Sequence, residues 1–346
     1  MKEEKYMEET LAGKEKLIYK IKNRPIRMAI CYDFDKTLSP DDMQSFTLIP
    51  SLGMDKNEFW KRSNTLAKDN LMDNNLAWMY ELILLSKAQR QPIKKSYFNK
   101  IGKDIPLYKG VTEWFDRVNE YGRKKGIIIE HYIISSGLKE IVEGSSIADK
   151  FKRIYASSYL YSVDGTAEWP AQAINYTNKT QYIFRIAKGI FEEYDERVND
   201  SMQDSELYIP YKNFVYIGDS ATDIPCMRLV KSKGGYSIGV YDPDKNERKK
   251  VYQLFADGRL SFYTAADYSA RSELMNYMKN IIDEVAAKEK IKTEQEILKI
   301  NADLYKMSLQ LENMLNNSSD LISTKEKREL GKGINEIKQL VDGKID

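Results

Sequence analysis

Short polar clusters follow apolar, strand-like runs in this chain, and this pattern strongly restricts the fold. The first cluster, Asp33 to Thr37, comes directly after the run Met28 to Tyr32. The last, Gly218 to Asp223, comes directly after Phe214 to Ile217. In an α/β sheet, ligands bind beyond the carboxyl ends of parallel strands, so residues at those ends point into one crevice. Because strands alternate with helical segments, the sequence predicts a doubly wound parallel sheet of the α/β class.

The predicted elements divide the chain into four regions. Residues 1–26 are an N-terminal lead-in, and residues 27–43 with 106–270 are expected to form the α/β core. Residues 44–105 show helical spacing without a convincing strand. They exceed the usual loop limit of about 12–15 residues, so they are predicted to be an inserted helical subdomain. Residues 271–346 carry apolar residues at alternating three- and four-residue spacing, which predicts a C-terminal helical hairpin, although residues 288–292 break the phase of this spacing.

The charge and the cysteine content restrict the class of partner and the compartment. The formal net charge is +2 with acids and bases mixed, which argues against nucleic acid or an anionic membrane as partner. Residues 1–24 lack the apolar run of a signal peptide, and no segment approaches the roughly 20 apolar residues of a membrane span. Cys31 and Cys226 are too few for a disulfide framework and are expected in the core. A cytoplasmic protein without a nucleic-acid or membrane partner is therefore predicted.

The first polar cluster holds two aspartates, Asp33 and Asp35, separated by one residue. Side chains alternate along an extended segment, so both carboxylates can face one site. A carboxylate attacks an anionic phosphate monoester only when a cation neutralises part of the charge, and Mg2+ prefers oxygen ligands that include one or two carboxylates. Asp33 is predicted to be both nucleophile and metal ligand, which gives an aspartyl-phosphate intermediate. Asp35 is predicted to be the general acid for the leaving alkoxide and then the base for water.

Two further clusters supply candidate phosphate-binding groups. Ser135 ends the second buried run and is followed by Ser136 and Gly137, where a hydroxyl and backbone N–H groups could hold a phosphoryl oxygen. A serine that caps a helix would look the same in the sequence. Lys179 precedes an amphipathic helix and could stabilise the charge that builds during phosphoryl transfer. Most lysines are solvated surface charges, and only the order of the clusters supports a catalytic role for this one.

The last cluster supplies the remaining candidate metal ligands, Asp219 and Asp223. Gly218 permits a tight turn out of the strand, so Asp219 emerges from the strand end towards the metal. Asp223 could bind the metal directly, bind it through water, or orient Lys179. Acidic capping of a helix start is the alternative reading for both aspartates.

In this order the clusters resemble the haloacid dehalogenase-like (HAD) hydrolase superfamily, and the architecture looks like its phosphoserine phosphatase-like branch. The resemblance covers roughly residues 27–270. It implies a HAD-like Rossmannoid core, a helical C1 cap over residues 44–105, and Mg2+ as cofactor. It also implies that the backbone carbonyl of Asp35 is a metal ligand, and it favours Ser135 over Ser136 for the phosphate contact.

One part of the first cluster also resembles a different group of enzymes. The string Asp35-Lys36-Thr37 is similar to the phosphorylated site of P-type ion pumps, in which the aspartate before Lys-Thr is the nucleophile. Those pumps continue with Gly-Thr, whereas Leu38-Ser39 follows here. They also need membrane spans, so Asp33 is the better candidate nucleophile.

The sequence thus predicts a Mg2+-dependent phosphomonoester hydrolase, a phosphatase that acts on a small cytosolic phosphorylated metabolite. One alternative is another HAD activity such as phosphomutase. The other is a protein-interaction module built on the C-terminal helical hairpin. Residues 271–346 could mediate a homo-oligomer, bind a protein partner, or pack on the chain's own catalytic domain. The physiological substrate is not specified by any pattern in the predicted cap.

Overall fold

The computed structural model describes residues 13–245, 248–317 and 323–342. The chain divides into two compact units. We call residues 27–283 the core unit, and the described parts of residues 1–26 and 284–346 the terminal unit.

A seven-stranded sheet of order β4-β3-β2-β1-β5-β6-β7 forms the centre of the core unit. Parallel pairings join β1 to β5, β2 to β3, β5 to β6 and β6 to β7, whereas β4 runs antiparallel to β3. The register places Tyr32 opposite Ile217, so the first and fifth strands end side by side. The strands are β1 (Ile26–Tyr32), β2 (Ile127–Leu138), β3 (Arg153–Tyr161), β4 (Ala167–Gln172), β5 (Phe214–Gly218), β6 (Tyr236–Tyr241) and β7 (Phe262–Ala265). The predicted α/β fold is confirmed.

Helices fill the connections between the strands. Residues 13–22 are helical and are called α1. Five helices follow β1, namely α2 (Met43–Phe46), α3 (Leu48–Ser51), α4 (Lys56–Asn70), α5 (Asn74–Ala88) and α6 (Lys95–Gly102). The later helices are α7 (Val111–Lys124), α8 (Lys139–Gly144), α9 (Thr180–Lys188), α10 (Ile224–Ser232), α11 (Arg248–Ala256), α12 (Glu273–Asn317) and α13 (Thr324–Asp342). The segment predicted as a cap is therefore helical, and its boundaries at 44 and 105 stay a prediction.

Three elements differ from the sequence-based expectation. β2 does not end at Ser135 but continues to Leu138, with a shift in its register against β3. β7 was not predicted, because four residues are too short a run for a clear alternating pattern. α12 continues through residues 288–292, where the apolar spacing loses its phase. Lysine and glutamate are good helix formers, so the helix persists there without an apolar seam.

Two glycines bring α6 and α8 into close contact. A Cβ atom on Gly102 would lie 2.1 Å from the carbonyl oxygen of Ile141, and one on Gly144 would lie 2.1 Å from the carbonyl oxygen of Asn99. Only glycine fits at such a crossing, because a side chain would overlap the facing backbone. The hairpin formed by β3 and β4 adds a backbone hydrogen bond of 2.8 Å from Ala167 to the carbonyl of Ile93. The helical segment after β1 is thus held to the sheet through main-chain contacts.

The only histidine of the chain, His131, is buried in the sheet with both ring nitrogens hydrogen-bonded. Nε2 lies 3.0 Å from Oδ1 of Asn119, an acceptor, so Nε2 carries the proton. Nδ1 then accepts from the Tyr32 hydroxyl at 2.9 Å, and that hydroxyl oxygen accepts from the Trp114 indole at 2.8 Å. Burial lowers the pKa of His131 to about 3. The histidine is therefore a neutral structural residue.

We expect His131 to make the fold less stable in acid. Below pH 6.5 the unfolded chain takes up a proton at this residue and the folded chain does not. The free energy of unfolding should therefore fall by about 1.4 kcal/mol per pH unit from this residue as the pH decreases from about 6.5 towards 3. Urea unfolding followed by tryptophan fluorescence at several pH values measures the slope. His131→Gln should lose this component, and equal slopes in the two proteins would contradict a neutral buried histidine.

The terminal unit contains α1, the part of α12 after residue 283, and α13. Arg24 pairs with Glu296 of α12 at 3.3 Å, and Lys338 of α13 pairs with Glu312 of α12 at 2.7 Å. The two predicted C-terminal helices are thus present and linked by an ion pair. Of the helices in the described ranges, none is both long and apolar enough to cross a membrane. Partner contacts through residues 271–346 stay a prediction.

Candidate active site

The carboxyl ends of β1 and β5 bring the first and last polar clusters together. Asp33 follows β1, and its backbone N–H donates to the carbonyl of Ile217 in β5 at 3.0 Å. Gly218 ends β5, and a Cβ atom there would lie 2.6 Å from Oδ2 of Asp223. A residue with a side chain would push the Asp223 carboxylate away, so glycine is required for this approach.

Three carboxylates form a compact cluster at these strand ends. Oxygen atoms of Asp33, Asp219 and Asp223 all lie within 4.8 Å of one another. Burial and the neighbouring Asp223 carboxylate raise the pKa of Asp33 to about 6, against the opposite effect of Lys179. Burial, followed by the charges of Asp223 and Asp33, also raises the pKa of Asp219 well above its ordinary value. The negative charges therefore repel one another, and a bound cation would relieve that repulsion.

Lys179 is the cation that the structure itself places in the cluster. Its side chain is fully buried, with Nζ 3.2 Å from Oδ1 of Asp33 and 2.8 Å from Oδ1 of Asp223. Burial disfavours the ammonium, but the charges of Asp223 and Asp33 outweigh burial and raise the pKa of Lys179 above its ordinary value. The lysine is thus charged at neutral pH and joins the strand-end carboxylates to the start of α9.

Asp223 is fixed by donors on both of its oxygens. Oδ1 accepts from the Tyr216 hydroxyl at 2.8 Å as well as from Lys179. Oδ2 accepts from the backbone N–H and the hydroxyl of Ser220, both at 3.2 Å. This arrangement suits a residue that orients Lys179 while it contributes charge to the cluster.

Asp35 lies outside the three-carboxylate cluster and faces the start of α2. Its Oδ1 accepts from the backbone N–H of Met43 at 2.8 Å. Burial, with smaller contributions from Asp42 and Asp33, raises the pKa of Asp35 well above its ordinary value. A raised pKa favours the protonated form, which a carboxyl group needs in order to donate a proton to a leaving group.

The end of β2 contacts Asp35 through Gly137. A Cβ atom on Gly137 would lie 2.9 Å from Oδ2 of Asp35 and 2.3 Å from Cε of Met43, so glycine lets the two segments meet. Ser135 is fully buried, and its hydroxyl oxygen accepts from the Gly137 backbone N–H at 3.1 Å. The Ser136 hydroxyl is also buried and has no hydrogen-bond partner within the described part of the chain. Both serines therefore remain candidates for the phosphate contact.

Sequence reasoning gave no role to Tyr216, Met43 or Lys36. Tyr216 and Met43 contribute a hydroxyl and a backbone N–H that hold Asp223 and Asp35, and no motif marks such contacts. Lys36 stands within the first cluster and has a left-handed backbone, with φ of 57°. Its Nζ lies 2.9 and 3.0 Å from the two carboxylate oxygens of Asp42. In the sequence, only the position of Lys36 beside Asp35 could have indicated a role for this lysine.

Mg2+ fits the groups present. The cluster offers hard oxygen ligands from Asp33, Asp219 and Asp223, the donor type that Mg2+ prefers. Their mutual repulsion is only partly offset by one buried lysine. The fold and this acidic site define an α/β protein that can hold a cation and an anionic group at the end of its sheet.

Comparison with known families assigns the chain. The haloacid dehalogenase-like hydrolase family matches residues 30–228, which is more than half of the chain and includes all four polar clusters. The protein therefore belongs to the haloacid dehalogenase-like hydrolases. An uncharacterised protein of Borreliella burgdorferi is 26% identical over 279 residues, which cover 72% of this chain and 95% of that protein.

Several solved structures resemble the chain more remotely. A phosphoserine phosphatase in its apo form has 17% identity and a TM-score of 0.46, over 72% of this chain and 98% of its own. A probable phosphoserine phosphatase from Vibrio cholerae has 11% identity and a TM-score of 0.46, over 78% of this chain and 67% of its own. A HAD family hydrolase from Salmonella enterica serovar Typhi has 16% identity and a TM-score of 0.45, over 70% of this chain and 68% of its own. At these identities and TM-scores, the similarity does not show that the proteins share a substrate.

Proposed function

We propose that this protein is a Mg2+-dependent phosphomonoester hydrolase that acts on a small phosphorylated metabolite through an aspartyl-phosphate intermediate. The observation that carries the proposal is the buried cluster of Asp33, Asp219 and Asp223 around Lys179, with Asp35 beside it. Such a site combines a nucleophile, oxygen ligands for a cation, a fixed positive charge and a proton donor. Phosphoryl transfer depends on this combination of positioning and charge stabilisation.

In the first step, a carboxylate oxygen of Asp33 attacks phosphorus and the ester P–O bond breaks. Asp35 donates its proton to the leaving alkoxide, which departs as an alcohol. Lys179, held by Asp33 and Asp223, stabilises the negative charge on the phosphoryl oxygens. Ser135, Ser136 and the Gly137 backbone N–H are the proposed contacts for those oxygens. Bound Mg2+ would be held by Asp33, Asp219, Asp223 and the Asp35 carbonyl, and it supplies charge neutralisation for the attack.

In the second step, water attacks the phosphorus of the aspartyl-phosphate and the bond to Asp33 breaks. Asp35, now deprotonated, takes the proton from the water, so that inorganic phosphate leaves and both aspartates return to their starting forms. Asp35 suits this exchange because its carboxylate is anchored by the Met43 N–H and is not consumed in holding the cation.

The proposal is tested by phosphate release from a panel of phosphorylated metabolites. We expect turnover with Mg2+, and a decrease of at least about 100-fold when a chelator removes the metal, because the carboxylate and the phosphate would then repel each other. Restoring excess Mg2+ should restore the rate. Turnover that is unchanged by the chelator would contradict the metal-dependent mechanism.

Substitution of one proposed metal ligand tests the metal site, and substitution of an exposed aspartate is its control. Asp219→Ala should raise the Mg2+ concentration needed for half-maximal activity, whereas Asp69→Ala, an exposed aspartate on α4, should leave it unchanged. Calorimetric titration with Mg2+ measures the same loss without turnover. Equal Mg2+ affinity in Asp219→Ala and the unaltered protein would remove Asp219 from the metal ligands.

A further inference from the structure

A charged cleft opens beside the carboxylate cluster, beyond the ends of β5 and β6. Five charged side chains line it, namely Lys36, Asp219, Asp242, Lys245 and Lys250. Asp219 belongs to both the cleft and the cluster, so the two sites are contiguous. We call this feature the β6 cleft. None of the groups given a catalytic role above, apart from Asp219, lines it.

The charge of the β6 cleft favours an anion. Its three lysines and two aspartates leave an excess of one positive charge. Asp219 is also one of the proposed Mg2+ ligands, and its charge is neutralised when the cation is bound. The lining then has three lysines and the Asp242 carboxylate, and Asp42 pairs with Lys36 from outside the lining, so one positive charge remains in excess. A concave surface lined with one sign of charge concentrates ligands of the opposite sign.

Two of the lysines are held in place before any ligand arrives. Lys36 pairs with Asp42 at 2.9 Å. Lys245 donates to the carbonyl of Pro40 at 2.9 Å and pairs with Asp242 at 3.0 Å. An ammonium group has three N–H donors. Lys36 gives two of them to Asp42, which leaves one for a ligand. The side chains of Lys36 and Lys245 keep 39% and 46% exposure, so solvent and ligands can reach them.

The backbone conformation of Lys36 also indicates a functional role for this residue. A left-handed conformation is unfavourable for any residue with a Cβ atom, and glycine is the residue that tolerates it. Strain of this kind persists mainly at functional sites, where the surrounding structure enforces it. Here the strained residue lies directly after Asp35, and its side chain reaches the wall that Asp219 shares.

We propose that the β6 cleft binds a second anionic group of the substrate, a carboxylate or a further phosphate, while the ester phosphate reacts at Asp33. This inference rests on the proposed phosphatase function and names the substrate class of that site. Lys36 and Lys245 are the residues that recognise the second anion. Substrates with one phosphate and no other charge bind more weakly because they leave the cleft empty.

Non-hydrolysable phosphonates test the proposal at constant free Mg2+. Methylphosphonate carries one anionic group, phosphonoacetate adds a carboxylate, and methylenediphosphonate adds a second phosphonate. Calorimetry should show that at least one of the two larger probes binds about tenfold or more tightly than methylphosphonate, since charge-assisted hydrogen bonds are the strong ones. The probe with the larger gain identifies carboxylate or phosphate as the preferred group.

Lys36→Gln and Lys245→Gln should each remove most of this gain. Lys87→Gln is the matched control, because Lys87 is exposed at the end of α5 and belongs neither to the cleft lining nor to the carboxylate cluster. Equal affinity for all three probes, or a gain that survives in both variants, would overturn the inference. In either case, Mg2+-dependent phosphate release from simple monoesters would still support the proposed function. Absence of release from every monoester in the panel would instead reject the function on which the inference rests.

Discussion

Asp33→Asn is expected to lower phosphate release at least about 1000-fold, because an amide cannot supply the anionic oxygen that attacks phosphorus. The change keeps the size of the side chain, and the asparagine oxygen can still accept from Lys179. The loss should therefore appear in kcat with little change in the folded structure. Steady-state kinetics with the best substrate of the panel, together with circular dichroism, measure both properties.

Asp69→Asn is the control for this substitution, since Asp69 is an exposed residue of α4 and should leave kcat unaltered. Acid quenching with labelled substrate adds a direct test of the intermediate. The unaltered protein should retain label on Asp33, and Asp33→Asn should retain none. A variant with full turnover would show that another group is the nucleophile.

Lys179→Met is expected to lower the free energy of unfolding by about 3–5 kcal/mol near pH 8, the usual cost of leaving a buried charge without its partner. The ammonium is buried against Asp33 and Asp223, at 3.2 and 2.8 Å. Without it, two buried carboxylates face each other. Urea unfolding followed by fluorescence reports this change, because all four tryptophans, at positions 60, 78, 114 and 169, lie in the core unit.

The loss in Lys179→Met should be smaller at low pH. The pKa of Asp33 is already raised to about 6, mainly by burial and Asp223, and removal of the lysine raises it further. A carboxyl group with a raised pKa in the folded state binds a proton that the unfolded state releases, so the variant gains stability as the pH falls. The deficit should thus be smaller at pH 5 than at pH 8. Lys87→Met, an exposed lysine, should show no deficit, and an equal one would exclude a specific role for the buried ammonium.

The sequence predicted the parts of the site that stand directly after apolar strands. Asp33 and Asp219 follow β1 and β5, where parallel pairing places strand ends together, so their meeting depends only on the topology. Lys179 ends a short 3-10 helix before α9, and only the order of the clusters suggested a role for it. Its burial between two carboxylates is a tertiary fact that no local pattern encodes.

The contacts that hold the site could not be predicted, because they join residues with no fixed spacing. Tyr216 supports Asp223 from within a buried strand, where a tyrosine reads as core. The Met43 N–H meets Asp35 because a helix begins there. Nothing in the sequence distinguishes Gly137 and Gly102 from other glycines. Only the structure shows that a Cβ atom at either position would overlap the facing atoms. The four residues of β7 gave too short a pattern to detect.

The terminal unit combines segments that precede and follow the core unit in the chain, and this has a consequence for synthesis on the ribosome. Arg24 and Glu296 pair within that unit although 272 residues separate them in the chain. At about 5–20 residues per second, the ribosome adds Glu296 roughly 15 to 55 seconds after Arg24. The complete core unit, residues 27–283, is translated during that interval. The segment that contains Arg24 therefore leaves the ribosome before the core unit. Its ion pair with Glu296 can form only after the core unit has been synthesised.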